Sequence, residues 1–340
     1  MAKKTSNEDY EDQVRKEFES TQGSIEMPTF DEPEPQETFT NLGKVDFNKG
    51  VDINDDPDIK RATASMGYIN IPLDTLPSGG RFYPENTRIT IRAARVGEIR
   101  EFSMIDETDA KDIRDKLTYI ISQCCKVYFG NVQGYYKDLL EDDRIVLVLK
   151  IRELTFVDGQ SSIKIPVPDG ACSTPGCHPQ QTVDFNSTKL VFKKPNEKIE
   201  KYYDPIERCY KIQTKRFGTI TLYIPTIGVT SVLADWIKEQ QRQQKSVEAP
   251  LVDLLPYLIK EWRGFSDKQV FPKISELAGW PTEKFALVLR LKEEISIGIE
   301  FEINETCAQC GGELKIPVTF PDGLKSLFVP TISDLGDELL

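Results

Sequence analysis

Apolar positions along this chain follow two different periods, and the switches between them predict its elements. Between 68 and 92 the period is two: Ile69 and Ile71, then Ile89 and Ile91, read as short strands. The second, Arg88-Ile89-Thr90-Ile91-Arg92, reads as an exposed strand. Between them Leu76-Pro77-Ser78-Gly79-Gly80-Arg81-Phe82-Tyr83 is a tight turn, with Gly supplying positive φ and the aromatic pair fixing its exit. From 97 the spacing becomes three and four. Glu98, Ile99, Phe102 and Ile105 predict one helix; Ile113, Leu117, Ile120 and Ile121 predict a second, capped by Thr108 or Asp109 and running to Cys124-Cys125. A short helix is expected over 132–140. The aliphatic run 142–154 is β-branched, yet its length and acidic lead predict a buried helix.

Period two returns at Ile163-Lys164-Ile165-Pro166-Val167 and at Thr182-Val183-Asp184-Phe185, then at 190–192, 209–213 and 218–224, the last two forming a hairpin. Residues 230–292 read as helical. Val232, Leu233, Trp236 and Ile237 give one apolar face, 251–262 another, and 285–291 a third helix with Thr282 as cap. Alternation resumes over 297–303 and 313–318, and Leu327-Phe328-Val329 is expected to pack on that hairpin.

Each of the two late hairpins encloses a cysteine pair. Cys172-Ser173-Thr174-Pro175-Gly176-Cys177 has four intervening residues; Cys307-Ala308-Gln309-Cys310-Gly311-Gly312 has two and is followed by glycines. Paired thiolates on turns between strands are the donor pattern of structural zinc, so Cys172, Cys177, Cys307 and Cys310 are expected to hold one zinc per chain. The separation of the pairs requires a folded insertion between them. His178 follows the first pair directly. It is read as a surface residue, because adjacent residues rarely ligate one ion together. Cys124, Cys125 and Cys209 are read as packing residues.

The expected fold is α+β: a mainly helical body with short antiparallel strands and a split zinc-ribbon-like four-cysteine site. An acidic, proline-bearing tail over 1–65 is expected to be disordered, with Phe30, Phe39 and Phe47 as anchors for a partner. An N-terminal turn-and-helix domain is expected over 66–160. The split ribbon (161–190 and 297–320) with its inserted hairpin and helical bundle would occupy 161–330, and an acidic end 331–340.

Composition narrows the function. Forty-three basic against 55 acidic residues leave a net charge of −12, which argues against phosphate-driven binding of nucleic acid. No stretch has the length of a membrane span, and the charged start, Met1-Ala2-Lys3-Lys4, does not read as a secretory signal. Seven cysteines, an odd number, fit a reducing compartment better than a disulfide framework; Asn186 and Asn304, each in Asn-x-Thr, then read as chance matches to a glycosylation signal. One histidine, beside a candidate ligand, supplies no catalytic dyad, and four sulfur ligands close a zinc site to substrate, so the chain is not expected to be an enzyme.

The turn Leu76 to Tyr83, the strand Ile89 to Arg92, the aliphatic run ending Ile151-Arg152-Glu153-Leu154-Thr155, then the two cysteine pairs stand in an order that resembles the baseplate hub assembly protein family of T-even-like contractile-tailed bacteriophages. The resemblance spans about 68–330 and departs at the first cysteine pair, which is longer than the usual knuckle. It implies a phage tail protein that helps assemble the central hub, as chaperone or component. Its partners would be hub and tail proteins, and it would reside in the host cytoplasm during assembly and in the virion baseplate if retained. The competing reading is a zinc-ribbon nucleic-acid-binding factor of a phage transcription or replication system.

Overall fold

The computed structural model describes residues 67–156, 162–320 and 323–329. The tail over 1–65 with its three phenylalanines, and the acidic end over 331–340, lie outside the described residues. Helices and antiparallel strands alternate throughout the rest, and no helix among the described residues is long and apolar enough to cross a membrane.

Strands β1 (Ile69–Ile71), β2 (Thr87–Ile91), β3 (Cys125–Phe129) and β4 (Val132–Gln133) form an antiparallel sheet in that order. The strand expected to be exposed is therefore internal: Ile89 lies opposite both Ile71 and Val127, and all three are buried. Helices α1 (Val96–Ser103) and α2 (Ala110–Cys124) connect β2 to β3, with the Asp109 carboxylate capping α2 by accepting from the Lys111 amide at 2.8 Å. Helix α2 stops at Cys124, and Cys125 opens β3. The helix expected over 132–140 is instead β4 followed by one 3-10 turn, Tyr136–Asp138. Gly134 stands between them, folded so closely onto the Phe129 ring that an added Cβ would lie 2.6 Å from it.

Helix α3 (Arg144–Thr155) is the buried helix expected of the aliphatic run, with Val146, Leu147, Val148 and Ile151 all fully buried. Asp143 occupies its N-cap position, yet its side chain makes no capping hydrogen bond. The carboxylate turns to the 76–83 turn instead. It accepts from the Ser78 amide (2.9 Å), the Ser78 hydroxyl (2.7 Å) and the Tyr83 hydroxyl (2.8 Å), while the Leu140 amide donates to Tyr83 (3.0 Å). The far end of α3 is tied down as well: the Thr155 hydroxyl oxygen accepts from the Ala94 amide, and the Glu153 carboxylate accepts from both amide and hydroxyl of Ser187. This helix thereby joins the N-terminal sheet to the segment that carries the first cysteine pair.

Two hairpin arms, β5 (Ile163–Pro166) and β6 (Thr182–Phe185), follow. Next, β7 (Val191–Lys193) leaves toward the insertion: α4 (Glu197–Glu200), the three-stranded sheet of β8 (Tyr203–Asp204), β9 (Cys209–Thr214) and β10 (Gly218–Leu222), then α5 (Ile227–Arg242), α6 (Ala249–Leu254), α7 (Asp267–Ala278) and α8 (Thr282–Ile295). The chain returns on β11 (Gly298–Glu300), which pairs antiparallel with β7. Departure and return are adjacent, and the Asn196 amide donates to Glu294 at 2.8 Å beside them. That two-stranded stem is how an insertion exceeding one hundred residues leaves the flanking hairpins close together.

Several helical boundaries differ from expectation. The 251–262 face is not one helix, because Pro256 lacks the amide an α-helix needs; α6 passes into a 3-10 turn, Leu255–Leu258, and Trp262 lies beyond it against Gly228. Thr282 opens α8 rather than capping it, and α7 forms in spite of Pro272. The run 297–303 is two strands: β11 pairs with β7, whereas β12 (Glu302–Thr306) pairs with β13 (Glu313–Pro317). Helices α5, α6 and α7 share an apolar cluster of their own around Val229, Leu233, Leu255 and Val270. Phe328 packs edge-on against Phe102 of α1, at 5.0 Å between centroids.

Candidate metal centre

The turn between β5 and β6 carries Cys172 and Cys177, and the turn between β12 and β13 carries Cys307 and Cys310. The backbone itself aligns these turns. Cys172 forms a β-bridge with Leu314 of β13, the Ser173 amide donates to Glu313 (2.8 Å), and the Lys315 amide donates to Ala171 (3.0 Å). Two side chains strengthen the seam. Gln181 Oε1 accepts from the Ala308 amide at 2.9 Å, and Lys189 pairs with Glu305 of β12 at 2.6 Å. His178 points away into solvent, with Nδ1 3.6 Å from Asp169, and stands outside the cluster.

All four sulfurs lie within 4.8 Å of one another. Across the seam, Cys172 and Cys310 are 3.4 Å apart and Cys177 and Cys307 3.8 Å. A tetrahedral ion with sulfur at about 2.3 Å holds neighbouring sulfurs about 3.8 Å apart, so the cluster has the size of such a shell. Cys307 is buried, Cys172 and Cys177 are half-buried, and Cys310 is exposed, which leaves one side open to entering metal. These four cysteines can hold a metal ion.

The second turn is shaped for this purpose. Gly311 has φ +75°, a left-handed conformation that favours glycine, and its amide donates to the Cys307 carbonyl at 2.8 Å. The Gly312 amide reaches the Cys310 sulfur at 3.4 Å. A Cβ on Gly312 would sit 2.4 Å from Thr174 Oγ1 and 3.4 Å from Cys172 Sγ, so only glycine lets the two turns close.

Charge in the cluster is unevenly placed. The Cys310 thiol is lowered to about 6, first by the Thr174 hydroxyl and then by the Gly312 amide. Cys177 is pushed up to about 12, chiefly by its hydrogen bonding to Cys310. One negative charge settles on Cys310 and Cys177 resists a second, as like charges at this range do. A cation between the sulfurs removes that resistance. The remaining cysteines have no such setting: Cys124, Cys125 and Cys209 are buried, and burial drives all three thiols upward.

Cysteine spacing marked the turns but not their supports. Thr174 and Gly312 lie inside or beside the pairs, where their contacts with sulfur are a natural question. Gln181 carries no sequence signal at all. Comparison with models of protein families, with curated proteins and with solved structures finds no match.

Proposed function

We propose that the cluster is a structural zinc site closing a split zinc ribbon, and that the chain serves baseplate hub assembly in a contractile-tailed phage through protein–protein contacts. The observation that carries the zinc reading is the meeting of four sulfurs from two hairpins, with Cys177 and Cys307 separated by 130 residues. An all-sulfur shell is the preference of zinc, and it leaves no ligand position for substrate. The hub reading is supported by the residues that carry the resemblance. Ser78 and Tyr83 of the turn are bound to Asp143 at the start of α3, and Glu153 and Thr155 of the aliphatic run tie its far end to Ser187 and Ala94. These contacts join the N-terminal turn to α3 and α3 to the segment that follows it.

Two measurements test this. Elemental analysis of the purified chain is expected to give one zinc per chain, lost in the Cys172→Ser and Cys310→Ser variants; a folded, metal-free preparation overturns the zinc reading. Copurification with hub proteins, and mass spectrometry of finished virions, tests the hub reading and separates chaperone from component. Salt-dependent DNA binding without hub association would favour the nucleic-acid alternative instead.

A further inference from the structure

Away from the cysteines, helix α5 and the start of α7 enclose a groove of about 560 Å³. Its floor is apolar and aromatic: Val232 and Trp236 from α5, with Phe265 just before α7. Its rim carries three carboxylates, Asp235, Glu239 and Asp267, and neither lysine nor arginine lines it. Compensation of that charge is incomplete. Asp235 meets the half-buried Lys111 at 2.9 Å, Glu239 accepts from the Gln243 side-chain amide at 2.8 Å and meets a solvated Arg242 only at 3.8 Å, and Asp267 has no ion pair among the described residues. The Trp236 indole N–H has no acceptor among the described residues, whereas the Trp262 indole donates to Asp138 at 2.7 Å. One helical turn beyond Asp267, Phe271 is 65% exposed and extends the apolar surface along α7.

We propose that this groove is a docking site for a basic, amphipathic segment of another polypeptide. Lysine or arginine side chains would pair with the rim, apolar side chains would cover Trp236 and Phe271, and a backbone carbonyl would accept from the indole. Charge decides the occupant. Residues 1–65 hold 16 acidic and 8 basic side chains, the 331–340 end holds three acidic and none basic, and the whole chain is at −12. Both ends of this chain, and a second copy as a whole, carry net charge of the same sign as the rim. The inference stands without the zinc or hub readings.

The test uses the full chain and a fluorescein-labelled lysine–leucine amphipathic peptide, with its glutamate–leucine counterpart as control, followed by anisotropy at about 0.15 M salt. Only the basic peptide is expected to bind. Asp235→Asn, Glu239→Gln and Asp267→Asn together should weaken it about tenfold or more, and Phe271→Ala several-fold. A charge-matched control, Glu85→Gln with Asp184→Asn and Glu197→Gln, should leave affinity unchanged, since these exposed carboxylates lie in other elements. Equal loss in the control, unchanged binding in the groove variants, binding of the acidic peptide, or no binding of the basic one overturns the proposal. So does a change of oligomeric state in the groove variants by sedimentation, which would identify the occupant as a second copy.

Discussion

Replacing Asp143 tests the joint between the 76–83 turn and α3. Its fully buried carboxylate accepts three hydrogen bonds, two from Ser78 and one from Tyr83. Asp143→Ala orphans three buried donors, each costing about 1–3 kcal/mol, and relaxation of the two hydroxyls brings the expected total to about 3–5 kcal/mol. Asp143→Asn keeps one acceptor oxygen, and a rotatable hydroxyl can accept from the new amide, so about 1–2 kcal/mol is expected. The pH dependence separates a charge effect from a packing effect. Burial raises this carboxyl from 3.8 to about 6, against the opposing hydrogen bonds from Ser78 and Tyr83. A carboxyl with a raised folded-state pKa stabilises the fold when protonated, and that contribution fades as pH climbs from about 4 through about 6. Asparagine lacks it. The disadvantage of Asp143→Asn relative to the parent chain should therefore grow by ~1.4 kcal/mol between about pH 7.5 and about pH 5. Asp142, raised to about 7 first by burial and then by the neighbouring Asp143 charge, titrates in the same direction; Asp143→Asn removes the second cause, which adds to the difference between the two proteins. Urea unfolding followed by tryptophan fluorescence at both pH values measures this. An alanine variant within about 1 kcal/mol of the parent, or a pH-independent difference, would refute the reasoning.

Three further outcomes are expected. Gly228→Ala places a Cβ 2.4 Å from Trp262 Cγ and 2.6 Å from its Cβ, and should cost about 1–3 kcal/mol in urea unfolding; a change under about 0.5 kcal/mol would contradict the packing. Gly312→Ala should speed metal transfer to a chromophoric chelator, and adding Thr174→Ala should restore much of the loss by clearing the nearest clash, with no rescue counting against the close approach of the turns. Gln181→Ala removes the acceptor for the Ala308 amide and should cost about 1 kcal/mol while leaving metal stoichiometry unchanged.

What the residues revealed in advance was local. The period of two around each cysteine pair marked the turns of the cluster, and the uninterrupted apolar run before Thr155 marked α3. Long-range pairing was hidden. Nothing in Val191-Phe192-Lys193 says that it meets Gly298-Ile299-Glu300, since a three-residue strand gains its register from a partner distant in the chain. Continuous alternation over 297–303 likewise concealed a change of partner between β11 and β12. Asp143 was misleading for a different reason. An acid before a helix ordinarily satisfies that helix's own amides, and here a distant serine and tyrosine compete for it successfully. At 132–140, Gly134 broke a pattern whose spacing alone resembles a helix turn.

The stem of β7 and β11 also fixes a timetable. During synthesis the first hairpin emerges with two sulfurs, and the other two arrive only after the whole insertion has left the ribosome. Completion of the four-sulfur cluster is thus among the last events in the chain's maturation. An insertion that misfolds leaves the first pair of sulfurs without the second, so closure of the cluster registers whether everything made in between has found its place.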